Sequence, residues 1–464
     1  MTIWTPQLGD KGPRYRRIAD AIMAAIQSGE LAAGERLPPQ RRLADQLGVT
    51  IGTISRAYAE AHQQGWVESR VGSGTYVRHR DDEATTRFRA TRMVNDGMID
   101  MSMSFPPPHS LRATGLHNAL TRLCASADAM QAATDYQHEA GTPEQRDCMA
   151  AWQGRLGLPD DPQRLLITQG GQHGIHLVLR TLVQPGELVA ADALTYPGFV
   201  CAARQAHLRQ LAVPLDEQGM DVEALARLCA RQPPRLLYCM PDLNNPTGAR
   251  LSESRRHRLV EIAREHDIWL VEDAVQYLPP HQRGTALIEL APERTLHIFS
   301  TSKVLAGGLR IGTLSVPAQL QERLCAALRS QSWMVPPLMV QAACHWMEDP
   351  AGQSLLDWQI DELAARRALA LEHLAAYQPR SQPGSSLVWL PLPEGQRSSQ
   401  VQAALKQSGV LVSTAEPFCM GSEPVPQALR LCLGPPASRE LLLHGLETIV
   451  ATLAKPPEAN WATV

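Results

Sequence analysis

The chain has 464 residues, 20% of them charged and 44% hydrophobic, and a formal net charge of -3. This argues against a protein coated with nucleic acid along its whole length but allows a local basic face. Its nine cysteines show no CxxC pair and no Cys/His spacing of a zinc site, so reduced thiols and no metal are expected. No apolar signal core opens the chain and no run reaches the ~18 to 20 apolar residues of a membrane span, so a cytoplasmic protein of roughly two to four domains is expected.

From Tyr15 to Ile26 apolar residues recur at helical spacing, and Ser28-Gly29 closes that helix. A Gly34 turn and Leu37-Pro38-Pro39 lead into a second helix over Gln40 to Gln46. Gly48 then makes a tight turn, and Thr50 is placed to cap a third helix with Ile54, Ala57, Tyr58 and Ala61 inward. A short strand at Gly65 to Glu68, a Gly72-Ser73-Gly74 turn and a strand at Thr75-Tyr76-Val77 complete the pattern. That order predicts a winged helix-turn-helix, whose third helix enters the DNA major groove while the hairpin tip approaches the backbone or minor groove. Arg41 and Arg42 would reach phosphates, Thr50, Thr53 and Arg56 would start or line the reading helix, and Arg70 and Ser73 would decorate the wing. Up to Arg78 there are ten Lys/Arg against seven Asp/Glu, a balance that by itself suits a solvated face, so the element order carries the argument.

The stretch LAAGERLPPQRRLADQLGVTIGTISRAYAEAHQQGWVESRVGSGTYV resembles the winged helix of the GntR family of bacterial regulators, a likeness that spans almost all of Pro13 to Val77. Two departures matter. Ile51, followed by Gly52, stands where the family has an arginine, which implies a lost base or phosphate contact. His62 replaces a leucine late in the helix, which implies altered packing.

Residues 79–98 are polar and charged without apolar periodicity. They read as a flexible linker between a DNA-binding domain over 1–78 and a second domain over 99–464. From Leu165 onward strand-like apolar runs alternate with helical ones: 164–168 then 174–182, 188–191 then 199–205, 236–240 then 253–266, 268–272 and 295–300. This alternation predicts an α/β fold around a mostly parallel sheet, with ligands at the carboxyl ends of the strands.

The chain has only four lysines, and Lys303 differs from Lys11, Lys406 and Lys455 in its apolar approach (Leu296, Ile298, Phe299) and the Gly-Gly-Leu-Arg turn behind it. A desolvated ammonium gives up its proton more readily and attacks carbonyls, as a Schiff-base lysine must; a surface lysine in a loop is the plainer alternative. Other strand ends carry suggestive groups. Gly170-Gly171-Gln172 opens a helix whose N–H groups suit a phosphate, though a Gly-Gly pair alone is only a turn. Tyr196 offers a face for ring stacking or simply a core tyrosine. Asn245, in Asn244-Asn245-Pro246-Thr247-Gly248, is held to donate to a phenolate oxygen. Asp273 ends an apolar strand and suits a protonated pyridine nitrogen or a helix cap, while Ser300 and Arg310 flank Lys303 with phosphate-binding groups.

In this order, the Gly-rich turn, Tyr, NPTG, Asp and S-x-x-K...G-x-R resemble the fold-type I aminotransferases that use pyridoxal 5'-phosphate, from Ile99 nearly to the C-terminus. The resemblance implies a large part over about 135–335 and a small part over about 336–464. It makes Lys303 the Schiff-base lysine, Asp273 the partner of the ring nitrogen, Asn245 the donor to the ring oxygen and Tyr196 the stacking ring. Gly171, Gln172, Ser300 and Arg310 would hold the phosphate. It also implies that Tyr136 reaches the partner subunit's cofactor in a homodimer and that Arg430, otherwise readable as a strand-edge charge, binds a substrate or effector carboxylate. One position departs: relatives place a tyrosine two or three residues after the aspartate, where Val275 and Gln276 stand, and Tyr277 comes one later, so either the loop shifts to present Tyr277 to the ring oxygen or Asn245 holds that oxygen alone.

A GntR-type winged helix ahead of such a domain resembles the MocR regulators from end to end. This implies a dimeric transcription factor, binding double-stranded DNA at an operator with two half-sites, that senses an amino compound or pyridoxal phosphate through an aldimine at Lys303. The alternative is an active aminotransferase on an amino acid, with a secondary winged helix. Ile51 favours the enzyme and the displaced Tyr277 the regulator.

Overall fold

The computed structural model describes residues 4, 6, 12–27, 30–31, 35–63, 66–70, 74–77, 97–421 and 424–455, with only the backbone described at 27, 63 and 68–70. The chain forms two compact units, Met1–Arg89 and Ala90–Val464. The expected linker lies outside the described residues except for Gly97 and Met98.

In the first unit, helices α1 (Arg14–Gln27), α2 (Gln40–Leu47) and α3 (Ile51–Gln63) precede strands β1 (Val67–Arg70) and β2 (Gly74–Val77), which pair antiparallel with Val67 opposite Val77. The inward periodicity does what it promised: Ile18, Ile22, Leu43, Ile54 and Ala57 are buried together with Val67 and Val77. Gly48 takes φ 59° after α2, a left-handed turn that costs glycine little, and its N–H closes back on the Ala44 and Asp45 carbonyls. Thr50 caps α3, its hydroxyl oxygen accepting from the Thr53 N–H at 3.2 Å. His62 corrects an expectation: it is exposed, and the core contact late in α3 comes from Ala61, so the change from leucine leaves core packing alone.

The second unit begins with β3 (Ile99–Asp100) and is built on seven strands: β4 (Leu165–Thr168), β5 (Leu188–Asp192), β6 (Arg209–Val213), β7 (Leu236–Cys239), β8 (Trp269–Asp273), β9 (Thr295–Ser300) and β10 (Gly312–Ser315). Their order is β4-β10-β9-β8-β7-β5-β6, parallel throughout except for β10, which runs antiparallel to both neighbours. Successive residues face opposite sides. Tyr238 and Val271 pack with α5 (Gly171–Leu182) and α6 (Pro197–Gln205), numbering after α4 (Leu111–Cys124), whereas Leu237 and Leu270 pack with α7 (Glu253–Glu265). Burial on both faces explains why these strands read as continuous apolar runs. Helix α5 starts at Gly171, three residues before the apolar period begins at Gly174. Its first turn faces the strand ends and so lacks the apolar signal.

After the long helix α8 (Pro350–His373), strands β11 (Leu387–Pro391), β12 (Val410–Leu411), β13 (Ser413–Thr414) and β14 (Ala428–Cys432) and helix α9 (Arg439–Leu453) form a smaller part. Its sheet runs β11-β14-β13, and β12 pairs in parallel with β3. The cores do not divide near 336. Val335, Val340, Trp346 and Leu355 pack with Leu165 and Phe299, and the second core starts at Ala370 and takes in Ile99 and Met101 from far upstream. Distant sequence closes this part because β3 completes it.

Candidate ligand site and nucleic-acid interface

The turn from β9 to β10 carries the central groups. Ser300 ends β9 opposite Gly312 of β10, and Gly312 in turn pairs with Thr168 of β4, so the Lys303 turn and the start of α5 share one end of the sheet. Lys303 is half-buried beside a small cleft that is also lined by Ser104, Leu243, Gln276, Tyr277 and Gln359. Burial holds its ammonium down to about 8; Arg430 and Arg310 push the same way, and Asp273 opposes them. About a tenth of the side chain is therefore unprotonated at neutral pH, against well under a thousandth for an ordinary lysine.

At the phosphate end, Gly170 takes φ 79°, and a Cβ there would come within 2.5 Å of Arg310 Nη2. Arg310 itself sits at φ 55°, a left-handed backbone costing about 1 to 3 kcal/mol for a residue with a side chain, and donates to the Gln169 carbonyl at 3.3 Å. That places a guanidinium directly over the α5 N-terminus, a cradle for an anion. Ser300 is fully buried, its hydroxyl donating to the Ile311 carbonyl at 3.2 Å and lying 2.8 Å from the Ser302 hydroxyl. Ser302 in turn accepts from Arg310 at 3.4 Å, so this hydroxyl, passed over in the sequence, stands nearer the guanidinium. Gln172 donates to the Gly198 carbonyl at 3.0 Å and leaves its own buried carbonyl oxygen without a partner among the described residues.

At the ring end, Asp273 closes β8. Burial raises its pKa; the Tyr238 hydroxyl at 2.5 Å and the Val275 N–H at 2.9 Å oppose the rise. Tyr196 heads α6, and its hydroxyl is pushed up by burial first and by nearby Asp273 next. Asn244 holds the loop between: its amide donates to the Leu194 carbonyl at 3.1 Å and to Asp192 at 3.3 Å, and its oxygen accepts from Thr247. Asp192, wholly buried, is pushed up to about 7. The Asn245 side-chain oxygen accepts from Arg430 Nη1 at 3.1 Å.

Arg430 lies in β14, the middle strand of its sheet, and is buried, so the strand-edge alternative falls. Its Nη2 donates to Ser413 Oγ at 3.1 Å and to the Ser102 carbonyl, it lies 4.7 Å from the Phe418 ring centre, and its Nε has no hydrogen-bond partner among the described residues. Gln276 and Tyr277 both line the cleft; Arg283 lies 5.6 Å from the Tyr277 ring centre, and Gln276 donates to Ser104 Oγ at 3.0 Å. Tyr136 stands apart, 82% exposed, its ring 5.7 Å from that of Trp333, which is 56% exposed.

In the first unit Arg41, Arg42, Thr50 and Arg56 are exposed and Thr53 half-exposed, with Arg56 4.4 Å from the Tyr15 ring centre. Thr50 and Thr53 hydroxyls bond each other at 2.9 Å, so Thr50 is committed to the cap. Ser73 and the Arg70 side chain lie outside the described residues. Ile51 is 47% exposed at the start of α3, an apolar group where an edge-reading cation was the norm. Among the described residues no group of His, Cys, Asp or Glu is arranged to hold a metal, and no helix is long and apolar enough to cross a membrane.

The residues present fit a phosphorylated pyridine aldehyde. The Arg310 cradle is closed to any side chain at position 170, Asp273 is a buried carboxylate held ready by two donors, and Asn245, its oxygen held by Arg430, keeps an amide N–H2 to donate.

Residues 102–449 match the family described as Aminotransferase class I and II, and residues 14–77 match Bacterial regulatory proteins, gntR family. The chain is 28% identical over 451 residues to the uncharacterized HTH-type transcriptional regulator YdeF of Bacillus subtilis (strain 168), covering 96% of this chain and 95% of that one. It is 26% identical over 359 residues to the probable rhizopine catabolism regulatory protein MocR of Rhizobium meliloti, covering 71% of each. Among solved structures, LysN, an alpha-aminoadipate aminotransferase from Thermus thermophilus complexed with N-(5'-phosphopyridoxyl)-L-leucine, shares the fold with a TM-score of 0.70 at 24% identity, over 80% of this chain and 96% of that one.

Proposed function

Because this chain belongs to the aminotransferase class I and II family and carries a gntR-family winged helix in front, the MocR-type arrangement, we propose that it is a transcriptional regulator that binds pyridoxal phosphate and responds to an amino compound at Lys303. The observation that carries the reading is that Asp273, Arg310 and Arg430 all act on the Lys303 ammonium at one end of the sheet, with Asn245 bonded to Arg430, in a chain that also carries a winged helix.

When bound, the cofactor supplies an aldehyde that reacts with primary amines. Asp273 would keep a proton on the ring nitrogen, Asn245 would donate to the ring oxygen, and Tyr196 would cover a ring face. Arg310, Ser300, Ser302 and the N–H groups of Gly171 and Gln172 would hold the phosphate. Lys303 supplies the competing amine, and Arg430 would fork onto the carboxylate of the incoming compound. The chain would work in the cytoplasm as a homodimer, with Tyr136 exposed for the partner's site and two winged helices on two half-sites.

An effector acts on DNA only insofar as it binds one arrangement of the chain better than another. Binding to the DNA upstream of its own gene should therefore change when amino compounds are added, and the chain should show a visible chromophore that Lys303→Ala loses. Steady turnover of an amino acid with 2-oxoglutarate in the absence of DNA binding would instead make it an aminotransferase.

A further inference from the structure

Asp192 is a buried carboxylate that the proposed function leaves without a task. It ends β5, is 4% exposed and pairs with no cation among the described residues; the Asn244 amide and its own backbone are what oppose its burial. A carboxylate so placed costs stability, and an uncharged side chain of similar size would cost less. Its contribution lies in what it does to Asn244.

A carboxylate accepts hydrogen bonds and does not donate them. Asn244 Nδ2 thus has acceptors on both sides, Asp192 Oδ2 at 3.3 Å and the Leu194 carbonyl at 3.1 Å. Its Oδ1 has two donors, the Thr247 N–H at 3.2 Å and the Thr247 hydroxyl at 2.8 Å. Turning the amide over would set oxygen against oxygen at one end and N–H against N–H at the other, so a single orientation is enforced. The Asn244 backbone is closed as well. Its N–H donates to the Ala249 carbonyl at 2.9 Å, and its carbonyl accepts from the Gly248 N–H at 2.7 Å. With every polar group used, Asn244 fixes the tight loop whose next residue, Asn245, is bonded to Arg430. Leu194 belongs to the segment leading to Tyr196, and that segment is tied in turn to Phe418 and Met420 through the Thr195 N–H and the Ala193 carbonyl.

We infer that Asp192 is a positioning residue: by fixing the Asn244 amide it holds Asn245 in place to donate to the ring oxygen of the cofactor. This rests on the assignment of Asn245 given under Proposed function. Asp192 acts through Asn244 and not on the cofactor itself.

The test uses the full chain loaded with pyridoxal phosphate and reads two quantities, the pH midpoint of its visible chromophore and the midpoint of thermal unfolding. A donor to an anion favours the deprotonated form, so losing the donor raises the chromophore midpoint. Asn245→Ala should raise it by about one pH unit, the effect of one hydrogen bond to a charged group. Asp192→Leu should raise it by at least about half as much, whereas Asp192→Asn, which keeps an acceptor for Asn244, should stay near the parent value. Thr247→Val, at a less buried position, removes one donor to Asn244 Oδ1 and should give a smaller shift in the same direction. In the Asn245→Ala background neither Asp192→Leu nor Thr247→Val should add to the shift, because all three act on one bond. Absence of a chromophore in the unaltered chain, or no shift in Asn245→Ala, would overturn the underlying reading and this inference with it. Lower thermal stability in Asp192→Leu and Thr247→Val without a moved chromophore would make the network merely structural. Shifts that add to that of Asn245→Ala, or that Asp192→Asn reproduces, would trace the effect to the charge. Either of these results overturns the positioning role while leaving cofactor binding intact.

Discussion

Tyr238 donates its hydroxyl to Asp273 at 2.5 Å from the neighbouring parallel strand, with its ring stacked on Phe199 at 4.3 Å and 10°. The stacking leaves the hydroxyl little freedom, so the bond is built in. Burial drives the Asp273 carboxyl up and Tyr238 brings it back, which keeps the carboxylate available to a cationic ring nitrogen. Tyr238→Phe should therefore weaken pyridoxal phosphate binding by about ten- to a hundredfold, the range for a hydrogen bond to a charged group. Titration of the cofactor-free chain by tryptophan fluorescence measures this, and a change under twofold would remove Tyr238 from the support of the site.

Lys303 sets a pH dependence. Its ammonium is held at about 8, below the ordinary lysine value of 10.5, mainly by burial. Below that point most of the side chain is protonated and unreactive, so capture of the aldehyde should quicken about tenfold per pH unit and level off above about 8. An ordinary lysine would go on quickening for two further units. Arg430→Gln removes a nearby positive charge and should move the midpoint upward; stopped-flow absorbance over pH decides both points.

In the winged helix, Ile51 is exposed at the start of α3. Ile51→Arg should tighten binding to DNA generally and steepen the fall of log affinity with log salt by about 0.9, the signature of one more phosphate contact. An unchanged slope would place residue 51 away from the backbone.

A second layer fixes the Lys303 turn. Gln359 of α8 donates to the Lys303 carbonyl at 2.8 Å and accepts from Arg112 of α4 at 2.5 Å, while Arg112 also donates to the Leu305 carbonyl. Gln359→Leu should leave phosphate binding in place yet displace the amine. The expected result is a bound cofactor with an altered visible spectrum and capture slowed about tenfold or more, the cost of misplacing a reacting atom. Gln359→Glu, which keeps an acceptor for Arg112, should recover part of the rate.

Much of the site was legible because its groups occupy strand ends that interrupt apolar runs. Lys303, Asp273 and Asn245 each follow a buried strand or its loop, so order along the sequence became order across the sheet. Tyr238 was hidden inside an apolar strand, although a hydroxyl in such a run must find a partner. Arg112, Gln359 and the Ser102 and Ser104 carbonyls could not be read locally, because their contacts to the Lys303 turn and Arg430 span 56 to 328 residues of chain or depend on backbone atoms that carry no sequence identity. For the same reason the sequence does not show that Ile99 and Met101 join a core whose other members begin at Ala370. The winged helix was easier, since its core is made by short-range periodicity.

The reversal of β10 against β9 has a mechanical consequence. Ser300, Lys303 and Arg310 lie on one connection whose two ends are locked into the same pair of strands. On the proposed function, the phosphate contacts and the reacting amine would then share one connection, and neither would adjust without the other. A loaded chain should register depletion of the phosphorylated vitamin and arrival of an amine through the same movement, so two nutritional signals would converge before either reaches the DNA.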